Sequence, residues 1–586
     1  MTQHKSEIRD GMVVEWDVPI PMEDGMVLRG DVYRPIGDGR YPVIATHGPY
    51  GKGLAFQEGF AGPWKALATN HPEALAESSN KYQNWETVDP ERWVPDGYVV
   101  IRVDARGAGR SPGHLDIFSP REIRDYYEVV EWAGTQPWSN GKVGLLGISY
   151  YAVSQWQVAA LQPPHLAAII PWEGASDHYR EFTHHAGIPS TFVSRWYPAH
   201  VSSVQHGIGE RGARNPNTGE PVAGPETLTE EELAVNRHDP RIELRAHPFD
   251  GEYYRERSAD LEKITVPVLS AVNWGHHLHT RGGFEGYVRV SSEQKWLEVH
   301  GLDHITEFYT GHGLALQKRF FGHFLKGEDT GWDQQPPVQL NVRHVDGGFE
   351  PRAEQEWPLA RTNWTRFYVH PQGRSLAEGS PADDGSVAFE ALGDGVTFTT
   401  KPFTEEVEIT GPAAARLFAS STTADADLFL TLRVLDTGGK DVRFVHAVDP
   451  AGPVGMGWLR ASHRAVDPER SLPYRPWHPH DHAEPLAPGE TVQLDIEIWP
   501  TSVVIPTGYR LALTVTGRDF EFPGDGPWPV AYGVEMKGQG IFLHEDPDDR
   551  PADIYGGTTT LVSGPDRPSY LLLPVIPRTA EATTDV

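Results

Sequence analysis

At 586 residues the chain is too long for one hydrophobic core, so about two or three domains are expected. Lys+Arg 51 against Asp+Glu 81 give a formal charge of -30, a surface that repels a phosphate backbone and excludes nucleic acid as the expected partner. Zero Cys excludes disulfides, thiolate chemistry and cysteine-based zinc sites.

Met1 to Asp10 is polar and lacks an apolar signal core, and no uninterrupted apolar run is long enough to span a bilayer. The expectation is a cytoplasmic protein without membrane partners. Homo-oligomerisation stays open.

The first elements alternate. Two strand-like runs flank Glu23-Asp24-Gly25, a hairpin signal. Tyr41–Gly51 reads as a buried strand entering a Gly/Pro loop, and Leu54 to about Arg92 as a polar insertion lying over a site. Gly97–Gly113 is a second buried strand ending in glycines. Arg121–Gln136 has apolar residues at helical spacing. Gly141–Pro164 reads as strand, sharp turn and helix, stopped by a double proline, and Leu166–Gly174 as another strand.

Strands alternating with helices predict a mostly parallel, doubly wound sheet. Ala175 to about Lys263 breaks the rhythm and reads as a helical cap. Val266–Trp274 and Lys295–His304 resume it, and the helix Leu314–Gly327 closes the domain. From Val338 short alternating strands dominate, predicting an all-β domain, a sandwich or jelly roll. The expected layout is an α/β domain over 1–174 and 264–332, a cap over 175–263 and a β domain over 333–586.

The chemistry centres on Gly147-Ile148-Ser149-Tyr150-Tyr151. A serine between an apolar strand and a helix is the setting of a nucleophile elbow. The turn lifts Oγ off the sheet edge. The backbone N–H of Tyr150 then faces the developing oxyanion, helped by the helix N-terminus. Tyr151 stands where the elbow's last glycine is usual, and Ala152 is the residue that would allow close helix–strand packing. Chain order asks for an acid and a base downstream. His304, in the loop after a late strand, is the candidate base, and His300, within the strand end, is its competitor. Three close histidines, His276, His277 and His279, raise a metal question. No H-E-x-x-H and no fourth ligand at helical spacing accompany them, so neither metal nor cofactor is expected.

"HGPYGKG", "DARGAGRSPG", "GISYYAVSQWQVAA", "PVLSAVNWGHH", "GLDH" and the β-rich tail together resemble the cocaine esterase/X-Pro dipeptidyl-peptidase family, in the same order over nearly the whole chain. The resemblance implies an α/β-hydrolase domain, a helical cap and a C-terminal jelly roll. It also implies that Tyr50 donates its hydroxyl to the oxyanion, and that Asp425 and Asp427 build a structural turn. One departure matters. The family's acid position falls on His276, and an imidazole there cannot supply the negative charge that steadies an imidazolium. Glu173, ending the preceding strand, is the best substitute by position. Asp177, Asp303 and Glu285 are the other carboxylates weighed. Trp172, Trp274 and His276 are candidate substrate-binding residues.

The reading is a serine hydrolase acting on a small-molecule ester or amide through a Ser149 acyl-enzyme. The ester is favoured because it is easier to cleave. The aromatic, His-rich stretch Phe182–His200 suits a bulky acyl group. An acyltransferase on the same scaffold and a non-catalytic binding protein are the alternatives.

Overall fold

The hairpin at Glu23-Asp24-Gly25 opens a large mixed sheet. In the computed structural model, which describes residues 4–578 except 525 and 527, β1 (Lys5–Arg9), β2 (Met12–Pro21) and β3 (Val27–Arg34) run antiparallel. Pro21 pairs with Val27 across the turn, and Gly25 takes the positive φ of 87° that the turn requires.

Then follow β4 (Tyr41–Gly48), β5 (Val99–Asp104), β6 (Ser139–Ile148) and β7 (Leu166–Trp172). A two-residue ribbon, β8 (His184–His185) with β9 (Ile188–Pro189), precedes β10 (Val268–Asn273), β11 (Lys295–His300), β12 (Val338–Arg343) and β13 (Phe349–Glu354). The sheet order is β1-β2-β3-β5-β4-β6-β7-β10-β11-β12-β13. Neighbours from β5 to β12 are parallel.

The parallel centre is buried on both faces, which explains the continuous apolar runs of β4, β5 and β6. The helix Pro120–Gly134 starts at Ser119, whose side chain accepts from the Glu122 N–H, with proline in its first turn. It lays Ile123, Tyr126, Val129, Val130 and Ala133 on the sheet. Strand order reverses between β4 and β6. In open parallel sheets the crevice at such a reversal, at the carboxyl ends of the strands, is where ligands bind. The loops carrying Tyr50 and Ser149 leave these two strands.

Segment 175–263 contains short helical elements, the longest unbroken run being 192–204, and the β8–β9 ribbon. The helix expected at Leu314–Gly327 starts earlier, at Gly311, because Thr310 caps it by accepting from Gly313 N–H. Its last turn, Gly322–Lys326, is wound wider. The strands β12 and β13 lie past residue 333 yet extend the first sheet, β12 pairing parallel with β11. No helix among the described residues is long and apolar enough to cross a membrane.

The rest of the tail is an all-β domain in which twelve of the described strands form one sheet with its own apolar core. Asp425 accepts from Ser462 N–H and Oγ–H and from Tyr555 hydroxyl, and Asp427 pairs with Arg460 and Arg550. This domain grips the first one closely. Buried Arg281 joins Glu497. Ala447 N–H donates to Gly275 O at 3.0 Å, and Ala447 O accepts from His304 N–H at 2.8 Å.

Candidate active site

Ser149 leaves β6 with φ 56° and ψ -114°, a backbone state that costs a non-glycine residue about 1–3 kcal/mol. The turn is held from outside. Ser149 N–H is shared between Trp172 O and Glu173 O, each at 3.1 Å. Gly147 leaves the space this needs, since a Cβ there would lie 2.5 Å from Tyr151 Cβ. The close packing usual of the elbow's last glycine falls to Ala152, whose Cβ would lie 2.8 Å from a Cβ on Gly174. The helix Tyr150–Ala160 begins at once, so Tyr150 N–H is among the first-turn donors without an intrahelical acceptor.

Tyr50 follows β4 and is buried, its ring edge-on to Tyr150 and Tyr151. Its oxygen accepts from Trp196 Nε1–H at 3.1 Å, which leaves the phenolic proton for another acceptor. Burial, reinforced by the Glu86 carboxylate, holds its pKa well above 10, so it stays a donor.

Around His304 runs a buried row of alternating carboxylates and imidazoles. Glu298 Oε2 lies 2.7 Å from His300 Nδ1, and His300 Nε2 lies 2.9 Å from Glu173 Oε1. Glu173 Oε2 lies 2.6 Å from His304 Nδ1, and His304 Nε2 lies 3.1 Å from Glu86 Oε1. Burial would raise the Glu173 pKa, but the two imidazoles beside it outweigh burial and bring it to about 2. Burial likewise disfavours a charged ring, yet the flanking carboxylates lift His300 and His304 to about 10. Glu86 rises to about 7 because burial exceeds the pull of His304.

Ser149 Oγ itself meets a different ring, His279 Nε2, at 2.9 Å. His279 Nδ1 accepts from Ala175 N–H at 2.9 Å, so that nitrogen carries no proton. Burial, with repulsion from His304, keeps His279 neutral, its pKa well below 6.5. The proton of the neutral ring therefore sits on Nε2 and is donated to Ser149 Oγ. In this tautomer His279 has no lone pair with which to take the serine proton. The His304 ring lies nearly parallel to it, centroids 6.0 Å apart.

The structure thus brings Ser149, Tyr50, Tyr150, Glu173 and His304 to one end of the sheet. The other carboxylates are engaged elsewhere: Asp177 caps a helical turn and pairs with Arg180, Asp303 caps Thr306, and Glu285 pairs with Arg475. His300, the competing base, backs Glu173 on the side away from His304. Two expected substrate contacts do not fit. The Trp172 side chain is 0% exposed, packed on His300 and Phe308, and Trp274 packs on Phe284 and Trp357. Both indoles are consumed by packing and offer no face to a ligand. His276 lies beside His279, His304 and Phe542 and is buried.

Glu173, His276 and His304 each offer a ligand atom, all within 4.8 Å of one another. A metal there would have to displace the Glu173–His304 hydrogen bond. It would also need His276 Nε2, the nitrogen left to carry the proton because Nδ1 accepts from Leu278 N–H at 3.2 Å. Two site groups escaped the sequence. His279 was weighed only as a metal ligand, and Glu86 lies inside the polar insertion with no motif around it.

Residues 24–306 match the family model of the X-Pro dipeptidyl-peptidase (S15 family), and residues 330–572 that of the X-Pro dipeptidyl-peptidase C-terminal non-catalytic domain. A CocE/NonD family hydrolase from Staphylococcus aureus superposes with a TM-score of 0.82 at 32% identity, covering 96% of this chain and 94% of that one. The cocaine esterase of Rhodococcus sp. is 25% identical over 629 residues, 92% of this chain and 94% of its own length. An aminopeptidase from a marine sediment Thaumarchaeota archaeon shares the fold at 16% identity, with a TM-score of 0.68 and 98% and 96% coverage. Fold and matches define a serine hydrolase of ester or amide bonds. The chain belongs to the CocE/NonD family of hydrolases.

Proposed function

We propose that the chain hydrolyses a small-molecule carboxylic ester through an acyl-enzyme on Ser149, with His304 as base, Glu173 as its acid, and Tyr50 hydroxyl and Tyr150 N–H as the oxyanion site. The observation that carries this reading is the 2.6 Å contact between Glu173 Oε2 and His304 Nδ1, made at the same strand ends as the strained Ser149. Ser149 Oγ bonds to the acyl carbon as its proton passes to His304 Nε2, and the carbonyl oxygen takes the negative charge. The tetrahedral centre collapses, the bond to the leaving alkoxide breaks, and His304 returns the proton to it. Water repeats the sequence and frees the acid.

Phe182 and Trp196, from the aromatic stretch expected near the acyl group, pack with Tyr50 and Tyr150 in one buried cluster beside the elbow. We read the tail as a jelly roll, because its strand Tyr570–Ile576 pairs with both Asn363–His370 and Val407–Ser421 and folds the sheet back on itself. A panel of acyl esters and amides tests the activity. Esters should turn over faster than amides. Tyr50→Phe should lower kcat on the best ester by about 10²–10³-fold with KM nearly unchanged, because the hydroxyl acts on the transition state. A large rise in KM at normal kcat would make Tyr50 a substrate contact instead.

The Ser149–His279 contact favours one rival reading, in which His279 is the base. The tautomer argues against it. On our reading His279→Asn, which removes one neutral hydrogen bond, costs about tenfold in kcat/KM. A loss of about 10³-fold or more in steady-state assays would transfer the role of base to His279.

A further inference from the structure

The acyl-enzyme scheme leaves Glu86 without a task, yet it is built into the site as firmly as the serine. It is 2% exposed, its φ is 62°, and its backbone oxygen accepts from Ile148 N–H at 3.0 Å, one residue before Ser149. Ser149, Glu173 and Glu86 all sit at positive φ, at 56°, 51° and 62°. Strain of this kind persists where the surroundings over-determine the backbone, and it clusters at functional sites. Glu86 Oε1 takes His304 Nε2, the nitrogen that a base must turn toward the serine. Glu86 Oε2 is buried with no hydrogen-bond partner.

We infer that Glu86 is a positioning residue that competes with Ser149 for His304 Nε2, holding the base as an imidazolium disengaged from the serine until the pair loses a proton. This rests on His304 being the base. The groups facing the pair come from every neighbouring element. Glu173 ends β7, with His300 of β11 behind it, and His276 and His279 follow β10. The phenols of Tyr50, Tyr151, Tyr309 and Tyr532 and the indole of Trp85 surround Glu86. Buried His276 and His279 are held neutral and the phenols stay protonated, so the carboxylates and His300 set the charge on His304.

The sign follows. A base raised in pKa is protonated and idle below that pKa, so activity is lost as pH falls and the acid limb lies alkaline of an ordinary histidine. Removing the Glu86 charge withdraws support from the imidazolium and moves the limb to lower pH. The test is the pH dependence of kcat/KM on an ester, and of the rate of phosphonate labelling of Ser149, in the parent and in Glu86→Gln. The limb should move down by about one unit or more, so that activity on its flank rises about tenfold. Glu86→Asp keeps the charge but shortens the reach, and its limb should fall between the two. It also reads the effect if the Gln variant does not fold. An unmoved limb with a plateau lowered equally at all pH would make Glu86 merely structural and overturn the inference. So would total loss of labelling in a folded Glu86→Gln, which would make Glu86 the proton acceptor. Labelling of His304→Gln at the parent rate would instead overturn the assignment of the base.

Discussion

Ser149→Ala is expected to fold and melt like the parent while kcat falls by about 10³-fold or more. The expectation follows from the elbow. The strained turn is held by Ser149 N–H on Trp172 O and Glu173 O, and by the space at Gly147, none of which involves the hydroxyl. Alanine is thus accommodated in the same backbone, and only the nucleophile and its contact with His279 disappear. A serine-directed phosphonate should label the parent at Ser149 and leave the variant unmodified, read by peptide mass mapping. A label on another serine, with Ser149 untouched, would refute the acyl-enzyme reading at its root.

Glu173→Gln should lower kcat by about 10²–10⁴-fold. The carboxylate serves two rings at once, His300 through Oε1 and His304 through Oε2. An amide of the same shape has one acceptor, so its NH₂ group must face an imidazole N–H. It also removes the charge between two imidazoles that are otherwise held protonated. His304 then loses both its orientation and the partner that steadies it as it takes the serine proton. Single-turnover kinetics with a chromogenic ester would separate this from an effect on binding, since KM should change little. A variant within a few-fold of the parent would show that the base works without Glu173.

Parts of this site were legible in the sequence because they are local. The elbow is strand, turn and helix in one stretch, and its glycine spacing states the backbone requirement directly. Glu173 was reachable because it ends a strand whose neighbour's end carries His276, an imidazole where a carboxylate was wanted. Glu86 was not legible. It belongs to an insertion between β4 and β5, and only tertiary contacts decide which of its side chains meets His304. His279 was visible as one of three histidines, but the ring that turns to Ser149 is chosen by Ala175 N–H, a partner 104 positions away. Trp172 and Trp274 misled because an aromatic at a strand end can face the cleft or the packing behind it, and the sequence does not say which. The same ambiguity placed β12 and β13 in the tail. Alternation marks a strand, but the choice of sheet is made by the edge that β11 leaves open.

His304, the proposed base, is not held by one domain alone. His304 N–H hangs on Ala447 O, and Ala447 N–H returns to Gly275 O, so a loop of the tail ties together the two turns that carry His304 and His279. The region matched as the non-catalytic C-terminal domain thus splints the two turns beside Ser149. A chimera that joined this α/β half to the tail of a distant relative would inherit both folds. Unless the graft brought an equivalent of the Phe444–Gly452 loop, it would set the imidazole adrift.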